Sequence, residues 1–178
     1  IGTFMADAGK ETCELCPRGK YLDETGGDAC LSCPKGTYSN FTGAIECTQC
    51  DIGFFSNTAD STECLTCPAG KYQGETGQST CINCAAGFIS VEGASACVPC
   101  PAGSINSKTG QKECTECDTG KFHKKVDDLT CTDCAKGHYQ NDAGQLYCLQ
   151  CEPGTVSNAE GYSECSECTP GKYQSNSG

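Results

Sequence analysis

The chain has 178 residues, 20 of them cysteine and none tryptophan, and its 23 acidic and 12 basic side chains leave a formal charge of −11. Leu, Ile, Val and Phe together number 23, too few for a packed core to offset the entropy of ordering, so disulfide or metal staples are required. The acidic balance argues against phosphate backbones and anionic lipid surfaces as partners, and no apolar run reaches membrane-spanning length.

Residues 1–4 open the chain already in phase with a repeat, because they align with residues 18–21. Every cysteine then belongs to a C-x-x-C pair, whose first members are Cys13, Cys30, Cys47, Cys64, Cys81, Cys97, Cys114, Cys131, Cys148 and Cys165. The step is 17 residues except between Cys81 and Cys97, where it is 16. A short fixed period marks a tandem array whose units touch mainly their neighbours. The consensus C-x-x-C-P-x-G-x-Y-x-x-x-T-G is clearest over 13–26 and 64–77.

Each recurrent position has a physical reading. The glycine three residues after each pair never fails, from Gly19 and Gly36 to Gly171, which calls for positive φ or close backbone approach. Two residues on stands an aromatic or β-branched residue: Phe4, Tyr21, Tyr38, Phe55, Tyr72, Ile89, Ile105, Phe122, Tyr139, Val156 and Tyr173. Eight of the thirteen aromatics fall there, so the position is expected to line a common ladder. A later glycine, as at Gly43, Gly77 and Gly110, reads as a tight turn, and Asp60 and Asp127 replace it in two repeats. The residue missing from 84–97 is placed next to that turn. Asp51 and Asp118 stand where proline is expected in the two repeats with an Asp turn, which hints at a four-repeat superperiod. The unit therefore predicts a strand near G-x-Y, a turn at T-G and a return through C-x-x-C. An isolated hairpin of this size is marginal in water and needs its staple. The expected fold is all-β, small and disulfide-rich: an elongated array of hairpin repeats of about 17 residues, continuous over 1–178 and cut from a longer chain.

C-P-x-G-x-Y followed by T-G and a second C-x-x-C resembles the ephrin-receptor-like cysteine-rich repeat, and through it the cysteine-rich modules of tumour necrosis factor receptors. The resemblance spans the whole chain. It implies that each loop is closed on itself by one disulfide: Cys16–Cys30, Cys33–Cys47, Cys50–Cys64, Cys67–Cys81, Cys84–Cys97, Cys100–Cys114, Cys117–Cys131, Cys134–Cys148 and Cys151–Cys165. Cys13 and Cys168 would then be bonded outside the segment, Cys13 to a pair just upstream. Asp51, Ala85, Asp118, Ala135 and Glu152 depart from the C-P motif. A crossed pairing, such as Cys13–Cys30 with Cys16–Cys33, uses all twenty cysteines but needs a 34-residue unit.

The same spacing approaches that of a zinc ribbon, but such sites accompany basic surfaces, which this chain lacks. Redox chemistry needs one C-x-x-C at a helix start, whereas here there are ten equivalent pairs without helical pattern. No catalytic, metal or cofactor site is assigned. His123 and His138 read as surface histidines, Lys124 and Lys125 as part of a solvated turn, and Asp23 with Glu24 as a solvated charge pair. Asn40-Phe41-Thr42 is the only N-glycosylation sequon, and Asn40 is expected to carry a glycan. The chain reads as an extracellular or cell-surface structural protein, a repeat rod that self-associates into a filament or tether or contacts other extracellular proteins. A ligand-binding receptor ectodomain is the alternative. It would show exposed aromatics gathered in one or two repeats, whereas Phe41, Phe54, Phe88, Tyr147 and Tyr162 are scattered.

Overall fold

The computed structural model describes residues 1–5, 12–125, 128–169 and 171. Asp127 and Tyr173, named above, lie outside them. The described residues contain no helix, and their strands are all two residues long, paired antiparallel as ten separate hairpins. Lys20–Tyr21 pairs with Leu31–Ser32, Thr37–Tyr38 with Thr48–Gln49, and Phe54–Phe55 with Leu65–Thr66. The same unit recurs as far as Thr155–Val156 with Ser166–Glu167. The register sets the aromatic position opposite the residue that follows the first cysteine of the next pair, as in Tyr21 with Leu31, Phe55 with Leu65 and Tyr139 with Leu149. Aromatic–aliphatic pairs of this kind are the stabilising unit of a two-stranded ribbon.

Hydrogen bonds extend each hairpin past its strands: Cys33 N–H donates to the Gly19 carbonyl at 2.9 Å and Cys50 N–H to that of Gly36 at 2.9 Å. A disulfide then ties the approach to the outgoing strand to the residue before the return strand. Cys16 is bonded to Cys30, Cys33 to Cys47, Cys50 to Cys64 and Cys67 to Cys81. Further on, Cys100 is bonded to Cys114, Cys117 to Cys131, Cys134 to Cys148 and Cys151 to Cys165. Cys84 and Cys97 are disulfide-bonded as well. Cys13 and Cys168 have no disulfide partner among the described residues.

The chain divides into two units, Ile1–Asn83 with Ser90–Cys97, and Cys84–Ile89 with Val98–Gly178. In the first, each hairpin is bonded to the next at several points. Gly19 N–H donates to Ser39 O at 2.9 Å, Leu22 N–H to Ala44 O at 3.0 Å, and Gly43 N–H back to Cys16 O at 2.7 Å. The same three bonds recur one repeat later from Gly36 to Ser56, Ser39 to Ser61 and Asp60 to Cys33. Asp60 adopts φ 59°, the left-handed conformation that its place in the turn requires. Residues 84–97 are short by a residue between Ser90 and Gly93, just before the turn. Gly93 nonetheless keeps its bond to Cys67 O at 2.8 Å, and Ala94 O still accepts from Gln73 N–H at 3.1 Å. In the second unit Gly103 donates to His123 O at 2.9 Å and Gly144 to Cys117 O at 2.8 Å, which repeats the pattern.

The repeats also meet their second neighbours. The α-carbon of Gly19 faces the Asp60 carbonyl two hairpins on, Gly36 that of Gly77, and in the second unit Gly103 that of Gly144. A methyl group at any of these would fall inside van der Waals distance of a backbone oxygen. Nearest-neighbour stacking is therefore too short a description by one repeat.

Within each unit the buried side chains among the described residues fall mainly into two columns. One is the second cysteine of each pair, from Cys16 to Cys151. The other is the residue after the aromatic position: Leu22, Ser39, Ser56, Gln73, Ser90, Asn106, His123, Gln140 and Ser157, all buried. The aromatic position itself is only half-buried.

Candidate binding surface

The second buried column is mostly polar, and its polar members hydrogen-bond within their own repeat or to the preceding hairpin. Gln73 donates from Nε2 to Thr80 O at 2.7 Å while its Oε1 accepts from Glu75 N–H at 3.0 Å. Gln140 repeats this with Tyr147 O at 2.8 Å and Asp142 N–H at 3.1 Å. Ser90 and Ser157 reach instead to strand carbonyls of the preceding hairpin, Lys71 O at 2.8 Å and His138 O at 3.0 Å. Asn106 does both: it donates to Phe88 O at 2.9 Å and accepts from Lys108 N–H at 3.0 Å.

His123 belongs to this column and is 2 % exposed, which corrects its reading as a surface histidine. Its Nε2 lies 2.7 Å from Asp128 O, and since a carbonyl only accepts, Nε2 carries the proton. Nδ1 is buried without a partner. His138 lies in a strand, half-buried, with Nδ1 3.3 Å from Lys136 O. The structure does not bring the two histidines together as a ligand pair. Asp23, Glu24, Lys124 and Lys125 are exposed. The Lys121 ammonium meets Asp133 across its hairpin at 2.9 Å. That hydrogen bond and the carboxylate charge raise Lys121 above the ordinary lysine range.

Two features face outward. The first is a set of aliphatic side chains on the return strands, at or next to the position between the two cysteines of a pair: Leu15, Leu31, Leu65 and Ile82 in the first unit, Val98 and Leu149 in the second. Each is roughly half exposed, and most pack one face against the aromatic partner across the hairpin. The second is a groove that recurs between consecutive hairpins. Two examples, each about 450 Å³, lie in the first unit. One is lined by Arg18, Tyr38, Asn40, Gln49, Asp51 and Phe54. One repeat earlier, Ile1, Tyr21, Asp23, Pro34 and Thr37 hold the places of Arg18, Tyr38, Asn40, Asp51 and Phe54. Asn40 is exposed and stands two residues past Tyr38, the end of the strand Thr37–Tyr38.

Neither groove, nor the polar column, was signalled by a motif. The signal that existed was positional: after Met5 and Leu22, the residue following the aromatic or β-branched position always carries a hydrogen-bonding side chain.

Four segments of the chain, residues 2–50, 36–71, 53–95 and 125–161, match the family described as tyrosine-protein kinase ephrin type A/B receptor-like. No curated protein matches.

Proposed function

We propose that this chain, which belongs to the ephrin type A/B receptor-like family, serves as a disulfide-stapled extracellular ectodomain that binds another protein through the aliphatic side chains of its return strands. The family match supports a receptor-type, extracellular setting. Disulfides in every repeat need an oxidising compartment to form and persist. The observation that carries the binding surface is the exposure of Leu31, Leu65 and Ile82 at 49 %, 46 % and 50 %. Apolar side chains repeated at one position of an otherwise acidic surface are where a protein partner gains the most from burial.

No helix among the described residues is long and apolar enough to cross a membrane. The filament or tether reading differs from the receptor-type one in a single observable, self-association. The test is to secrete the chain from a eukaryotic host, measure its mass by sedimentation over a wide concentration range, and screen it against arrayed extracellular domains. A monomer with a saturable partner, weakened at least tenfold by Leu31→Glu with Leu65→Glu, is expected. Concentration-dependent polymers would favour the filament.

A further inference from the structure

Asn40-Phe41-Thr42 begins one residue past the strand Thr37–Tyr38, after Ser39, and runs into the turn at Gly43, with all three residues exposed. The Ser39 hydroxyl donates to Phe41 O at 3.1 Å, which fixes the backbone at the centre of the sequon. Asn40 lines the same groove as two aromatic rings, Tyr38 two residues before it and Phe54 from the next hairpin. Arg18, Gln49 and Asp51 add hydrogen-bonding groups around them. Aromatic faces with polar groups at the rim suit a pyranose, which presents C–H faces and a ring of hydroxyls. The groove one repeat earlier has Asp23 in place of the acceptor amide, Thr37 in place of the second aromatic, and Ile1 in place of the arginine. Acceptor and sugar-binding groups thus coincide in one repeat.

We propose that Asn40 carries an N-linked glycan whose first N-acetylglucosamine lies in this groove against Tyr38 and Phe54. In the modification the Asn40 amide nitrogen bonds to C1 of an oligosaccharide carried on a lipid diphosphate. The C1–O bond to the diphosphate breaks, the diphosphate leaves with the bonding pair, and the nitrogen gives up one proton. The Thr42 hydroxyl supplies the second half of the recognition element. The sugar then covers aromatic surface that the protein alone leaves open to water. This inference shares with the proposed function only the passage of the chain through a secretory compartment.

The test uses the full chain secreted from a eukaryotic host. Peptide mapping is expected to find a glycan on Asn40, and trimming to one sugar should leave an N-acetyl methyl resonance shifted upfield by the rings. The single-sugar form should melt about 2–4 °C above Thr42→Ala, the shift that a modest stabilisation gives in a chain of this size. Phe54→Ala, at an exposed site, should leave Asn40 occupied while removing most of that gap and the upfield shift. A bare Asn40 on secreted, oxidised protein would overturn the proposal and leave the ectodomain reading standing. So would an occupied Asn40 with neither shift nor gap.

Discussion

Gly36 and Gly154 occupy the same place in their repeats and both adopt strongly positive φ, 84° and 89°. They differ in what a side chain would meet: the carbonyl oxygen of Gly77 at Gly36, and no atom of the described residues within 4 Å at Gly154. Gly154→Ala should therefore cost only the left-handed backbone penalty, about 1–2 kcal/mol. Gly36→Ala should add an overpacking cost of about 1–3 kcal/mol, since backbone cannot step aside as a flexible side chain does. Denaturant unfolding of the two variants separates the terms, and equal losses would mean that the close approach contributes nothing. The invariance of this glycine was legible in the sequence as a demand for positive φ or close approach, but the facing carbonyl was not, because it lies 41 residues on and leaves no trace in a 17-residue period. The column holding Ser39, Gln73, Asn106 and His123 was illegible for another reason. Its members share hydrogen-bonding capacity rather than polarity scale, size or charge, and Leu22 breaks even that. At His123 the Nδ1 is buried without a partner, whereas at the same place in their repeats Gln73 and Gln140 each offer an oxygen to the N–H two residues on. His123→Gln would supply both a donor and an acceptor, as Gln73 and Gln140 do, and should stabilise the chain by about 1 kcal/mol; an unchanged or lower midpoint in urea would show that the histidine is held by something else.

At the scale of the hairpin, two residues of strand on each side cannot hold by themselves, and the disulfide is what makes the unit a unit. Cys67 and Cys81 are 14 residues apart with Cα atoms at 5.8 Å, and closing a loop of that length is worth about 3 kcal/mol in the chain-entropy model. Replacing both by alanine should lower stability by about that amount, with amide exchange accelerating first at Gly93, whose N–H rests on the Cys67 carbonyl. Exchange that accelerates evenly along the chain would show instead that the staple acts globally. The hairpins were legible because strand, turn and return each carry a marker in every repeat. The aromatic ladder was legible in position but not in burial: strand pairing holds Tyr21 against Leu31 at the surface, and the next residue turns inward. The Lys121–Asp133 pair is a local addition to one such hairpin, fully in place below the ordinary lysine range and lost as pH rises through the raised lysine value. Asp133→Asn should thus destabilise at neutral pH and become indistinguishable from the parent in strongly alkaline buffer or high salt. A difference that persists there would assign the effect to the carboxylate's other contacts.

Across a whole unit, the decisive feature is that contact reaches two repeats ahead. In an array with nearest-neighbour interfaces alone, each added repeat past the first contributes the same increment of stability. Here the first added repeat brings only the bonds typified by Gly19 to Ser39 and Gly43 to Cys16, whereas the second also brings the approach of Gly19 to the Asp60 carbonyl. The increment should therefore grow from the second repeat to the third and become constant afterwards. Oxidised fragments 16–33, 16–50, 16–67 and 16–84 sample one to four hairpins of the first unit. Amide exchange at Gly43, present in the last three, measures the change directly. Its protection should rise about tenfold or more between 16–50 and 16–67, the equivalent of about 1.4 kcal/mol, and by a like factor between 16–67 and 16–84, where Gly36 gains the Gly77 carbonyl. Gly19→Ala should lower protection more in the three-hairpin fragment than in the two-hairpin one, because both carry the left-handed backbone cost but only the former also sets the methyl against the Asp60 oxygen. A step in urea stability from 16–33 to 16–50 as large as that from 16–50 to 16–67, or an equal loss from Gly19→Ala in the two- and three-hairpin fragments, would reduce the array to ordinary neighbour-by-neighbour stacking.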